Sequence, residues 1–199
     1  GSMFGAEYTL VAVADYVLST KGGNTVSNLS STRALRDITE NAGGFYFPAA
    51  VGEVNVVDKM KAKNAIIGGE GNGGVIFPEL HYGRDALIGI ALFLTHLAKK
   101  KISCKELKDT YPKYHISKNK IKLTPEIDVN LILEKIGQKY AHENVNTIDG
   151  VKIDFDKEWV HLRKSNTEPI IRIYSESADE TKAEQLAQNI ISDIKDIIK

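Results

Sequence analysis

"AIIGGEGNGGVIF", residues 65–77, sets a tract of five glycines, one glutamate and one asparagine between two short apolar runs. Residues 65–67 and 75–77 read as strands, punctuated by the glycines as strand ends usually are. Before them, Val56, Val57 and Met60 recur at helical spacing over 54–60, and after them 84–99 forms a longer apolar helix. Helix and strand alternate, which is the order of an α/β layer domain. The glycine tract admits three roles: a phosphate cradle, a flexible linker, or a loop for another ligand. A cradle turns backbone N–H groups toward an anion, which Glu70 would repel. The flanking strands argue against a linker.

Working outward, apolar residues at 10, 11, 14, 17 and 18 predict a helix over 8–18 that Gly22-Gly23 stops. Residues 25–28 read as a strand, Ser30 and Ser31 as N-caps of a helix through Asn41, and 45–47 as a further strand. After Lys99, Lys100 and Lys101 the texture changes. Ser103 and Glu106 suit a capping box for a short helix ended by Pro112, and lysine-rich 114–123 is a strand or connector. A boundary near 110–120 gives domains of 4–112 and 113–199.

The second domain reads α-β-β-β-α. Val129, Ile132, Leu133 and Ile136 form one helical stripe, and Asp149-Gly150 signals a hairpin. Residues 151–155, 159–163 and 170–174 alternate as half-buried strands do. The last helix repeats apolar residues from 183 to 198, with Ser177 and Glu180 as a capping box. A small antiparallel sheet covered by helices makes this an α+β domain.

The 199 residues carry 26 basic and 26 acidic side chains, so no charge excess marks a nucleic-acid or anionic-membrane surface. Any anion must be caught locally. One cysteine, Cys104, excludes an internal disulfide and suits a reducing compartment; it reads as a partly buried small residue. The most apolar helix is shorter than the ~20 residues of a bilayer span. Gly1-Ser2 resembles a remnant of tag removal and is set aside.

A second polar loop, "RKSNTEPIIR", covers 163–172. Strand alternation puts Trp159, His161 and Arg163 on one face, and Ser165, Asn166 and Thr167 add two hydroxyls, an amide and backbone donors. Arg163 and Arg172 bracket them with the planar forks best matched to a tetrahedral oxyanion. A plain polar hairpin would use the same turn residues. The density of donors in a chain otherwise neutral favours a phosphate site. Histidines 96, 115, 142 and 161 show no metal-ligand spacing. Trp159 reads as core, His161 as structural.

These residues resemble the α-D-phosphohexomutases. "GGEGNGG" is similar to their sugar-binding loop, G-E-x-S/N-G, and "RKSNTEP" to their phosphate-binding loop, R-x-S-N/G-T-E-P; "SNLSSTRALRDI" resembles the segment before the helix of their third domain. The likeness spans nearly the whole chain. It implies an α/β third domain with a mixed sheet, followed by an α+β fourth domain of a small antiparallel sheet with two helices, like the TATA-box-binding protein. In that family the first domain carries a phosphoserine, and the second a Mg²⁺ loop, D-x-D-x-D-R. Neither motif occurs here, and Asp154-Phe155-Asp156 reads as a turn.

The resemblance thus implies the recognition half of a cytoplasmic enzyme that interconverts hexose 1- and 6-phosphates through a bisphosphorylated sugar. No catalytic residue or metal ligand lies in this chain, the Mg²⁺ and phosphoserine belong outside it, and the fragment is expected to be inactive alone. Its partners are the hexose phosphate and the missing N-terminal domains. Glu70 and Asn72 match the sugar grip; Arg163, Ser165, Asn166, Thr167 and Arg172 match the phosphate grip. Where the family often has a lysine, this chain has Ala50 before Val51-Gly52; Arg84 or His81 could stand in, helix capping being the plainer role of 81–85, and Glu53 is a further candidate site residue. Asn72 replaces the commoner serine, and S-N-T is the phosphogluco/phosphomannomutase form where phosphoglucosamine mutases more often show S-G-T. The hexose stays open between glucose, mannose and glucosamine. A non-catalytic sugar-phosphate module is the alternative reading.

Overall fold

Strands β1 (Asn24–Asn28), β2 (Tyr46–Ala49), β3 (Ala65–Glu70) and β4 (Gly74–Ile76) form one sheet in the order β2-β1-β3-β4. This is the first of two compact units, Gly1–Lys113 and Tyr114–Lys199, into which the computed structural model divides. Residues 3–124, 127–165 and 168–198 are described, so the expectations for Asn166 and Thr167 lie outside the described residues.

β1 is parallel to β2 and β3, whereas β4 returns antiparallel to β3. Helix α2 (Ala34–Asn41) links β1 to β2, and α3 (Glu53–Ala62) carries the chain back past β1 to β3. Right-handed crossovers in opposite directions must put these two helices on opposite faces. Side chains agree: Thr25 is hydrogen-bonded to Thr39 of α2 at 2.7 Å, while Val26 packs with Val56 and Met60 of α3. α1 (Ala6–Lys21) lies with α2 and α4 (Ala86–Lys100), and α5 (Cys104–Asp109) closes the unit. Its expected capping box is formed by Ser103 and Glu106.

Several local expectations shift. Of the presumed glycine loop, Gly68–Glu70 belongs to β3 and Gly74 to β4, leaving 71–73 as the turn. A Cβ on Gly69 would strike the Gly74 carbonyl, and one on Gly68 would lie 2.8 Å from the Val26 carbonyl. At these two positions glycine therefore serves the close approach of the chain to itself, not of a ligand. α2 begins at Ala34 behind Arg33; the expected caps at Ser30 and Ser31 are not formed, since Ser31 is bonded to Asn28, and Thr32 Oγ1 instead accepts from the Ala34 N–H at 3.2 Å. β2 starts one residue late and takes in Pro48, tolerated because β2 is an edge strand. α4 starts at Ala86, two residues after the expected Arg84, with Asp85 accepting from Leu87 and Ile88 N–H. Val57 is only half-buried. Cys104, expected partly buried, is exposed.

The second unit contains β5 (His115–Lys122), α6 (Val129–Lys139), β6 (Asn144–Asn146), β7 (Val151–Asp154), β8 (Trp159–Lys164), β9 (Ile170–Ser177) and α7 (Glu180–Ile198). Its five strands are antiparallel in the order β5-β9-β8-β7-β6. The ambiguous lysine-rich stretch is thus a strand, and β6, too short and polar to read, completes the Asp149-Gly150 hairpin. Ile153, Val160, Leu162, Ile171 and Ile173 pack against the apolar stripes of α6 and α7. Each such side chain stabilises the fold by about 1.5–3 kcal/mol on burial, which fixes which sheet face the helices cover. Trp159, His161 and Arg163 share the opposite face, as alternation requires. The expected Ser177 cap is corrected: Ser177 ends β9, and Asp179 accepts from Lys182 N–H at 3.0 Å.

Candidate functional site

A sheet ordered β2-β1-β3 reverses its direction of growth between β1 and β3, where the connecting helices diverge to opposite faces. In open α/β sheets that divergence leaves a crevice at the carboxyl ends of the strands. Asn28 ends β1 and Glu70 ends β3. They bridge the switch point directly, Asn28 Nδ2 donating to Glu70 Oε1 at 2.7 Å. The same oxygen accepts from Gly52 N–H, at the start of α3, at 3.1 Å. Gly52 holds φ at 118°, a conformation that favours glycine.

Glu70 is 5% exposed, so its carboxylate is preorganised. Asn28 is fixed in turn, its Oδ1 accepting from Ser30 N–H at 2.9 Å and from the Ser31 hydroxyl at 3.0 Å. The Ser31 oxygen accepts from Gly71 N–H at 2.9 Å, tying the hairpin turn to the end of β1. Glu70 Oε2 has only longer contacts, 3.5 Å to Asn72 Nδ2 and 3.7 Å to Arg84 Nη1. Asn72 Oδ1 meanwhile accepts from Gly74 N–H at 3.0 Å.

The three further candidates are brought to the same place. Arg84 donates from its backbone N–H to Glu53 Oε1 at 3.0 Å and from Nε to Glu53 Oε2 at 2.8 Å. These two bonds hold the Glu53 carboxyl below the usual carboxylate range, the backbone N–H acting most strongly. Arg84 therefore spans Glu53 and Glu70. His81 is directed at Asp85, Nε2 to Oδ2 at 3.1 Å. The Ile88 N–H and then His81 hold the Asp85 carboxyl below its ordinary value. His81 and Asp85 thus follow the helix-capping role. Glu70 Oε2, the Asn72 amide and the Arg84 guanidinium offer one acceptor and two donors, the mixture that neighbouring hydroxyls require.

In the second unit, Arg163 on β8 is the cross-strand partner of Arg172 on β9. Rather than merely flanking the loop, the two arginines stand side by side. Like charges directly opposite each other destabilise a sheet. Their acidic neighbours compensate weakly: Arg163 Nε is 3.9 Å from Asp149 Oδ2, and Arg172 Nη2 is 3.9 Å from Glu168 Oε2. Both separations exceed a hydrogen bond. Ser165 is buried, its N–H donating to the Ile170 carbonyl at 3.0 Å.

His161 is 2% exposed and donates from Nε2 to the Asp149 carbonyl at 2.6 Å. Burial pushes its pKa down to about 4, so the ring is neutral near pH 7 and anchors the turn that carries Asp149. Trp159 is fully buried, its indole N–H donating to Glu176 at 2.6 Å. Both follow the structural reading. Residues 155–158 close as a turn, Phe155 N–H to Glu158 carbonyl at 2.9 Å, so Asp154-Phe155-Asp156 is the hairpin end expected. Among the described residues no cluster of His, Cys, Asp and Glu is arranged to hold a metal ion, and no helix is long and apolar enough to cross a membrane.

The family model "Phosphoglucomutase/phosphomannomutase, alpha/beta/alpha domain III" matches residues 6–114, and "Phosphoglucomutase/phosphomannomutase, C-terminal domain" matches 120–192. A phosphoglucosamine/phosphogalactosamine mutase of Sulfurisphaera tokodaii is 41% identical over 151 residues, 75% of this chain and 32% of the relative. A phosphoglucomutase/phosphomannomutase of Thermococcus kodakarensis is 36% identical over 202 residues, 100% of this chain and 44% of the relative. This chain therefore spans less than half the length of these relatives. Among solved structures, a phosphoglucomutase/phosphomannomutase family protein of Burkholderia thailandensis superposes with a TM-score of 0.78 at 21% identity, over 98% of this chain and 42% of that one. An Aspergillus fumigatus N-acetylphosphoglucosamine mutase, solved with GlcNAc-6P and magnesium, gives a TM-score of 0.66 at 16% identity, over 96% and 43%. At these identities the superpositions speak for the fold.

Proposed function

The chain belongs to the phosphoglucomutase/phosphomannomutase family, and from that premise we propose that it is the sugar- and phosphate-recognition portion of a phosphohexomutase. The whole enzyme interconverts a hexose 1-phosphate and the 6-phosphate, through a phosphoserine and a bisphosphorylated sugar, with Mg²⁺. Phosphoserine and metal belong to a part of the protein outside this chain, and a cytoplasmic location goes with this reading. The substrate class is a hexose phosphate; glucose, mannose and glucosamine phosphates all fall within it.

The observation that carries the reading is the pairing of Arg163 with Arg172 across adjacent strands, with Ser165 two residues beyond Arg163. Two weakly compensated guanidinium groups on adjacent strands are the complement of a phosphate dianion. Holding the phosphate that does not react turns remote binding energy into positioning of the other end of the sugar. Glu70, with Asn72 and Arg84, supplies the second grip. A carboxylate that accepts from two neighbouring hydroxyls tolerates a sugar presented in either orientation, as exchange between the 1- and 6-positions demands. Glu53 positions Arg84.

This portion alone is inactive in the reading given. A coupled assay should show no Mg²⁺-dependent conversion of glucose 1-phosphate to glucose 6-phosphate by the purified 199-residue chain. Turnover by that polypeptide would overturn the assignment of the chemistry to the remainder of the protein.

A further inference from the structure

The register of the second sheet carries the cationic pairing one strand further. Lys120 on β5 is the direct partner of Arg172 on β9, which is the direct partner of Arg163 on β8. Three cations thus stand in one row across three adjacent strands, on the sheet face away from α6 and α7. Lys118 and Lys122 lie two residues to either side on the same face, Lys118 sitting 5.4 Å over the Tyr174 ring. Lys120 is exposed and makes no ion pair among the described residues. An edge strand often carries lysines that discourage pairing with other chains. That role needs only charge, and a glutamate at 120 would fulfil it while neutralising Arg172. A third cation placed opposite a second one is instead costly without an anion to share.

Resting on the reading of 163–172 as a phosphate grip, we propose that Lys120 is a third cationic partner of the phosphate. The anion site is then the row Lys120, Arg172, Arg163, and its ligand is a phosphate monoester dianion. Neighbouring strands are about 4.8 Å apart, so the row spans about 10 Å between its outer backbones. Long lysine and arginine side chains converge across that span on one tetrahedral group, whose three terminal oxygens accept one cation each.

The test is a titration of the 199-residue chain with inorganic phosphate at matched ionic strength, together with Lys120→Ala, Lys120→Arg and Arg163→Ala. Lys120→Ala should weaken binding about three- to tenfold, Lys120→Arg should restore it to within about twofold, and Arg163→Ala should weaken it about tenfold or more. Without phosphate, Lys120→Ala should leave the unfolding midpoint equal or higher, since it removes a like-charge contact. Unchanged binding in Lys120→Ala with loss in Arg163→Ala would overturn the row and leave the phosphate grip standing. Unchanged binding in both variants, or none in the parent chain, would overturn the grip and the row together. A lowered midpoint in Lys120→Ala would show the lysine to be structural and also overturn the proposal.

Discussion

On the proposed reading the two loops solve opposite problems. At the end of β3, Glu70 is buried and already satisfied on one oxygen by Asn28 and Gly52, so the chain itself holds the carboxylate in place. At the β8–β9 hairpin, Arg163 and Arg172 are partly exposed, stand beside each other, and reach acids only at 3.9 Å. A neutral hydroxyl contributes little energy on binding, so a site for it must be rigid beforehand. A dianion contributes much, and its site can hold unfavourable charge that binding relieves. Substitutions should therefore cost stability in the first loop and binding in the second.

The largest expected effect is Glu70→Ala. It leaves a buried amide and a backbone N–H without their acceptor, which costs about 2–3 kcal/mol in urea unfolding of the chain. A loss under about 0.5 kcal/mol would mean that the first loop is not preorganised by these bonds. Next comes pH. His161 is neutral in the folded state, with a pKa of about 4 against an unfolded value of 6.5, so between those values the unfolded chain binds the extra proton. Stability supported by the neutral ring is full above pH 6.5 and falls as pH drops toward 4, by about 2 kcal/mol at pH 5. His161→Gln, which retains a donor for Asp149, should flatten that part of the pH profile; an unchanged slope would assign it to other groups.

Smaller effects follow from the helix caps. Asp85→Ala in the first unit and Asp179→Ala in the second should each cost about 1 kcal/mol, because each accepts from first-turn N–H groups. Equal losses would show that the contrast belongs to the loops and not to the units as wholes. Smallest of all is the stability effect of Arg163→Ala, expected within about 0.5 kcal/mol, since among the described residues its Nε approaches the Asp149 carboxylate no closer than 3.9 Å. A loss as large as that of Glu70→Ala would erase the distinction between the loops.

What could be read from the chain was whatever depends on near neighbours in sequence. The stripes of α6 and α7, the alternation of 159–163 and the Ser103–Glu106 box need only local spacing, and the structure contains all three. The loop motifs were legible for the same reason. Asn28 and Ser31 were missed because their partners, Glu70 and Gly71, lie about forty residues away, and the hydroxyl and amide in "SNLSS" look like ordinary capping groups. For the same reason the cap of α2 falls not on Ser30 or Ser31, Ser31 being committed to Asn28, but on Thr32, which accepts from the Ala34 N–H. The glycines of 68–70 read as loop because no local signal reveals that a strand must pass close to another backbone. Lys120 lay hidden in register: only the β5–β9 pairing sets it beside Arg172.

On the proposed reading, this chain holds a hexose phosphate by its phosphate through Arg163. Calorimetric titration of the 199-residue chain with glucose 1-phosphate, beside Arg163→Ala, tests it most directly. Affinity should be at least about tenfold lower in the variant, as the loss of a charge-assisted bond implies, with unfolding unchanged. Equal affinity in the two proteins would contradict it.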